Sequence, residues 1–185
     1  MKRFFLANGV IFAALFAFAT APAFAEIVEL GDTTTPLSEP VCPATNACPI
    51  ILTETTALQI QSDGVTYPTM AAHAGRIVAF SVTPASVSSA DINGTAKTKT
   101  KAATPGLNTT YGGASEAAIT VLQPSSKHFY KVVAESPLFQ LQPYFGHLVQ
   151  FVLNDSLPIA KGEFVALTVP TWAPLLTVDL TKSQF

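Results

Sequence analysis

Charge is scarce in this chain. Only 12% of its 185 residues are Asp, Glu, Lys or Arg, and it holds two cysteines, two methionines, one tryptophan and three histidines. Each shortage excludes something. With a formal net charge of −2 and no basic cluster, the chain lacks the footprint of a nucleic-acid or anionic-lipid binder. No G-x-S-x-G elbow accompanies its many Ser and Thr residues, and His73, His128 and His147 each lack a recognisable triad partner. Beyond the first 25 residues no stretch carries an apolar period of 3.6, which removes amphipathic helices from the expected core. No cofactor or metal is expected.

What is present begins with a leader. Lys2 and Arg3 precede an almost wholly apolar run from Phe4 to Ala19, Pro22 breaks it, and Ala23-Phe24-Ala25 is an A-x-A site that sets cleavage between Ala25 and Glu26. A membrane anchor is the competing reading. The run is shorter than the roughly 20 residues that span a bilayer, and no basic stop-transfer cluster follows. Residues 1–25 are therefore expected to be a signal peptide, and the mature protein secreted or held at the cell surface, with no membrane contact once the signal is gone. Removing Lys2 and Arg3 leaves eight basic against twelve acidic residues, and six of the thirteen Phe leave with the signal. The remaining 160 residues suffice for one domain with a real core.

Cys42 and Cys48 close the run Cys-Pro-Ala-Thr-Asn-Ala-Cys-Pro. An exported chain meets an oxidising environment, so a disulfide is the leading reading. A loop this small removes little chain entropy, and the bond would fix local shape more than global stability. Zinc, the alternative, wants four ligands, and no further cysteine exists.

The organisation expected is a loose Thr/Pro/acid-rich arm over residues 26–41, then a β-sandwich over 42–185. Two stretches anchor the sandwich, Gly75-Arg76-Ile77-Val78-Ala79-Phe80-Ser81-Val82 and Gly162-Glu163-Phe164-Val165-Ala166-Leu167-Thr168-Val169. Alternation puts Val78, Phe80 and Val82 on one face, and Val165, Leu167 and Val169 on the matching one, so both read as central strands. Ser62-Asp63-Gly64 is a turn. Residues 84–113 read as a long loop or exposed edge ribbon, with Lys97, Lys99 and Lys101 guarding it against stray pairing or, alternatively, forming a cationic strip for an acidic polymer. Residues 116–123 and 127–134 form a hairpin around Pro124-Ser125-Ser126. A strand from His147 ends at Asn154-Asp155-Ser156, Thr171-Trp172-Ala173-Pro174 makes a corner, and Leu175 to Leu180 is the last strand. About nine or ten short antiparallel strands with Pro and Gly turns give an all-β, jelly-roll-like sandwich.

The pieces Ala74–Phe80, Ala118–Leu122 and Lys161–Pro174 resemble a group of uncharacterised secreted actinobacterial proteins, over roughly Cys42 to Pro174. The run Val169-Pro170-Thr171-Trp172-Ala173-Pro174 is the most specific part. The resemblance implies export, a bacterial source and a β-sandwich, and no activity comes with it. It also implies a further cysteine-bearing segment, so that a chain stopping at Phe185 is expected to be a truncated product.

Function is read from side chains with chemistry to offer. Sandwiches that bind sugars stack aromatic faces on the ring while polar groups hold its hydroxyls. Tyr67, Tyr111, Tyr144, Phe145 and Trp172 are the candidates; Tyr111 and Tyr144 are the expected ligand contacts, while Trp172 is expected to plug one end of the sandwich. Glu116, Glu135, Asp155, Glu163 and Asp179 contain enough carboxylates for a glycosidase pair, but most fall at strand ends, where a solvated charge is the ordinary explanation. Asp63-Gly64, Asp91-Ile92-Asn93-Gly94 and Asn154-Asp155 read as turns and not as calcium loops. The expected function is a secreted, non-catalytic module that binds carbohydrate or cell-wall material. The alternative is a self-associating extracellular structural protein whose Thr/Ala-rich edges pair between subunits. A glycan-acting hydrolase is the catalytic alternative.

Overall fold

The structure, a computed structural model, describes residues 26–31, 36–40, 51–62, 64–98, 100–127 and 129–176. The expected leader, the Cys42–Cys48 loop and the last strand from residue 177 onward lie outside these. The described chain is an all-β sandwich in which every pairing is antiparallel. One layer is a sheet ordered β1 (Leu52–Ala57), β11 (Phe164–Ala173), β7 (Glu116–Ser126) and β8 (Phe129–Glu135), with β9 (Phe139–Gln140) pairing the start of β7. The second layer is a ribbon of two strands, β4 (Gly75–Val82) and β10 (Val149–Ile159). Small hairpins β2 (Gln61–Ser62)–β3 (Val65–Thr66) and β5 (Gly94–Thr95)–β6 (Thr104–Pro105) complete the eleven strands. Two helices, α1 (Ser89–Asn93) and α2 (Leu107–Thr110), and a 3-10 turn at Gln142–Tyr144 are too short to leave a helical period in the sequence.

The alternation expected for β11 is present. Val165, Leu167 and Val169 face the core between the layers, and Phe164 and Ala166 face the opposite side with Leu122, Leu58 and Tyr67. β11 is central, between β1 and β7. β4 is not: among the described residues it pairs only with β10. Nor does Val78 share a face with Phe80. Ile77, Phe80 and Val82 reach the core, while Val78 is 58% exposed. The cause lies in the partner strand. β10 does not stop at Asn154-Asp155-Ser156 but runs through it, and its register against β4 jumps between Val152 and Leu157. The irregularity re-aims the strand pair, and the Arg76 guanidinium seals it by donating to Ser156 Oγ at 2.5 Å and to the Ser156 carbonyl.

Two other boundaries move. Pro124 sits inside β7 opposite Tyr130, not in the turn, and the ladder slips between Pro124 and Ser126, where a residue without an N–H is tolerated. Thr171 and Trp172 continue β11 instead of making a corner, so the chain bends only at Pro174. The lysine stretch is exposed loop at Lys97 and Lys101, tightened by the Thr98 amide donating to the Lys101 carbonyl at 2.9 Å. Gly162, at φ 83, makes the β10–β11 turn, which the buried Glu163 caps by accepting the Ala160 amide at 2.8 Å.

An aromatic knot fastens the ribbon to the sheet. Phe80 of β4, Phe151 of β10 and Phe139 of β9 lie with ring centroids 4.8–5.4 Å apart, and Tyr144 meets Phe151 edge-on at 5.4 Å. Such pairs add about 0.5–1.5 kcal/mol each beyond the area they bury. Phe151→Ala is therefore expected to cost about 3–5 kcal/mol in a denaturant melt. Val152→Ala, one residue on but 68% exposed, is expected to stay within about 0.5 kcal/mol of the parent chain.

Candidate functional site

The residues singled out from sequence do not converge. Trp172 is fully buried, with its ring 5.7 Å from Phe145 and its indole N–H donating to Asn108 Oδ1 and to the Gly113 carbonyl, both at 3.1 Å. It is a plug and offers no face to a ligand. Tyr111 follows α2 and is half-buried; Tyr144 is exposed, but its ring is engaged with Phe151. Between these two elements, Gln142 Nε2 donates to the same Asn108 oxygen at 3.1 Å. Asn108 is thus the polar clasp of this end of the sandwich.

The carboxylates are likewise spoken for locally. Glu163 caps its turn, Glu116 accepts from Gln140 at 3.3 Å, Glu135 accepts from Thr120 at 3.3 Å, and Asp155 sits exposed in the irregularity of β10. Asp179, Cys42, Cys48, Ala25 and His128 lie outside the described residues, and His73 and His147 are exposed on loops. Among the described residues no group of three His, Cys, Asp or Glu gathers as metal ligands, and no helix is long and apolar enough to cross a membrane. A shallow concavity lined by Glu54, Thr55, Thr56, Thr168, Val169 and Pro170 opens along β1 and β11 without a convergent set of charged groups.

The feature that stands out is a sheet edge. β8 reads Phe-Tyr-Lys-Val-Val-Ala-Glu, aromatic and β-branched residues that suit a pleated strand, and among the described residues it pairs with β7 on one side only. Yet Phe129 is 69%, Val132 55% and Val133 41% exposed. Within the strand Lys131 alone interrupts the apolar run, and Lys127 precedes it. The opposite edge of the sheet differs. β1 is Thr-rich and carries few apolar side chains, and its register slips between Thr53 and Thr55 with Glu54 held at φ 44.

β8 carries an extra residue at Val133, where its register against β7 slips between Val121 and Leu122, and side-chain contacts hold the strand on either side of that bulge. A hydroxyl ladder crosses the outer face of all four strands: Thr56 to Thr168 at 2.9 Å, Thr168 to Thr120 at 2.5 Å, and Thr120 to Glu135 Oε1 at 3.3 Å. The carboxylate can only accept, so every hydroxyl in the row donates toward β8. At the other end Tyr130 packs edge-on against Phe164 at 5.7 Å, and Tyr67, at φ 53, covers the same ring at 5.1 Å. Hydrogen bonding to Tyr67, then lost hydration and the charge Tyr67 gains on ionising, hold the Tyr130 phenol above its ordinary range. Periodicity could mark the strand, but not which side of it stays unpaired.

Comparison with protein-family models, curated proteins and solved structures returned no match, so no activity is inherited from a relative.

A raised folded-state pKa stabilises the fold below the unfolded value of about 10 and loses that contribution as pH rises through the folded value. In a spectrophotometric titration one phenol of the parent chain is expected to ionise late, and Tyr67→Phe to bring it back toward the ordinary range.

Proposed function

We propose that this chain is an exported structural protein whose copies associate along the β8 edge. The observation that carries the reading is the exposed apolar edge itself: a ladder of N–H and C=O groups left open among the described residues and flanked by Phe129, Val132 and Val133 is what a further strand recognises. The edge involved is aromatic and β-branched, and this replaces the Thr/Ala-rich edges first expected. Export rests on the Lys2–Ala25 leader, and kinship with the secreted actinobacterial group is part of the same proposal, supported by the Val169–Pro174 run. Carbohydrate or envelope binding through Tyr111 and Tyr144 ranks second, because the polar side chains nearby, Asn108 and Gln142, already bond each other and Trp172.

Sedimentation velocity of the mature chain across a wide concentration range is the test. The parent chain is expected to assemble reversibly, and added sugars to leave the midpoint alone. Val132→Lys, which sets a charge on the edge at an exposed position, is expected to raise the midpoint about tenfold without changing the far-UV spectrum. A chain that stays monomeric throughout, or a Val132→Lys variant that assembles like the parent, would contradict the reading.

A further inference from the structure

Resting on that reading, we infer what lies against β8: the Glu26–Leu30 arm of a second copy, added as an antiparallel fifth strand. The arm is an unpaired apolar segment among the described residues, with Ile27 90% and Val28 60% exposed. Its root is fixed, since the Gly31 amide donates to the Pro68 carbonyl at 3.0 Å. Next to that anchor Leu30 is 37% exposed, and Ile27 and Val28 beyond it bury little of their own surface.

Charge and pattern select the register. The arm is acidic, with Glu26 and Glu29, whereas β8 is entered through Lys127 and carries Lys131 at its middle. Placing Glu29 opposite Lys131 in an antiparallel ladder sets Leu30 against Tyr130 and Val28 against Val132, ahead of the β8 bulge at Val133. These three pairs are apolar–apolar or opposite in charge, the cross-strand combinations that stabilise a sheet. Antiparallel pairing also continues the sense of the β7–β8 ladder.

The competing occupant is β8 of a second copy, related by a twofold axis. Matching Lys127 with Glu135 brings the two Lys131 residues face to face, and like charges directly opposite destabilise. Matching Lys131 with Glu135 runs Phe129 against Pro137, which has no N–H to give. The arm meets neither obstacle. The geometry has a consequence for size: arm-to-edge contact uses two different surfaces, so each copy that accepts an arm still offers its own. Such head-to-tail contacts build open chains or rings, whereas a β8–β8 contact closes at a dimer.

The experiment is a charge swap on the chain purified from the medium of an exporting host, with its N-terminus confirmed at Glu26 by mass. Glu29→Lys and Lys131→Glu are each expected to raise the assembly midpoint about tenfold, and the double variant to return it to within about threefold of the parent. Deleting residues 26–30 is expected to abolish assembly while leaving the thermal midpoint unchanged. Parent-like assembly of the deletion, or a double variant no better than either single, overturns the arm as occupant while leaving association along β8 standing. A parent chain that never assembles ends the broader reading instead.

Discussion

The packing of Phe80 and Phe151 against Phe139 holds a two-stranded ribbon onto a four-stranded sheet, and the mismatch in width shapes the rest of the molecule. Strands lie about 4.8 Å apart, so the ribbon covers roughly half of the sheet. The inner faces of β7 and β11 receive that cover, and Ala117, Ile119, Val121 and Val169 are buried beneath it. The outer strands must find other solutions. β1 is polar and bulged, and its Thr56 spends its hydroxyl on the threonine ladder. Beyond its pairing with β7, β8 is held by the end of that ladder, the Tyr130–Phe164 contact and Ala134 against the core, while Phe129, Val132 and Val133 face solvent.

This arrangement explains why chemistry is hard to find in the molecule. Several polar side chains that stand out in the sequence are engaged by the fold. Asn108 serves Trp172 and Gln142, Glu163 serves a turn, and Glu135 terminates the ladder. What the fold leaves unspent is hydrogen-bonding edge and apolar surface, and these are the groups that join one chain to another.

Much of the architecture was legible from residue pattern. The alternation of Phe164 to Val169 has the period of a strand buried on both faces, and β11 has both faces buried. Gly162 marked a turn that needs positive φ, and the proline-flanked Trp172 was readable as a plug. Failures came where one strand depends on another. Val78 belongs to the core face by alternation, but the irregularity of β10 at Asn154–Ser156 turns it outward, and the sequence of β4 holds no trace of that. Pro124 usually signals a turn, yet it is harmless in a strand where the ladder already slips. The hairpin of β7 and β8 was visible in the sequence, while the edge position of β8 among the described residues was not, because it is set by which strands lie beside it.

The central claim is that β8 is where copies of this chain meet. Hydrogen exchange on the mature protein, followed at dilute and at concentrated conditions, tests it most directly. Amides of Phe129–Val133 not bonded to β7 are predicted to exchange rapidly when dilute and to gain protection as concentration rises, with β1 unchanged. Rapid exchange along β8 at every concentration, or protection that grows along β1 instead, would contradict the account.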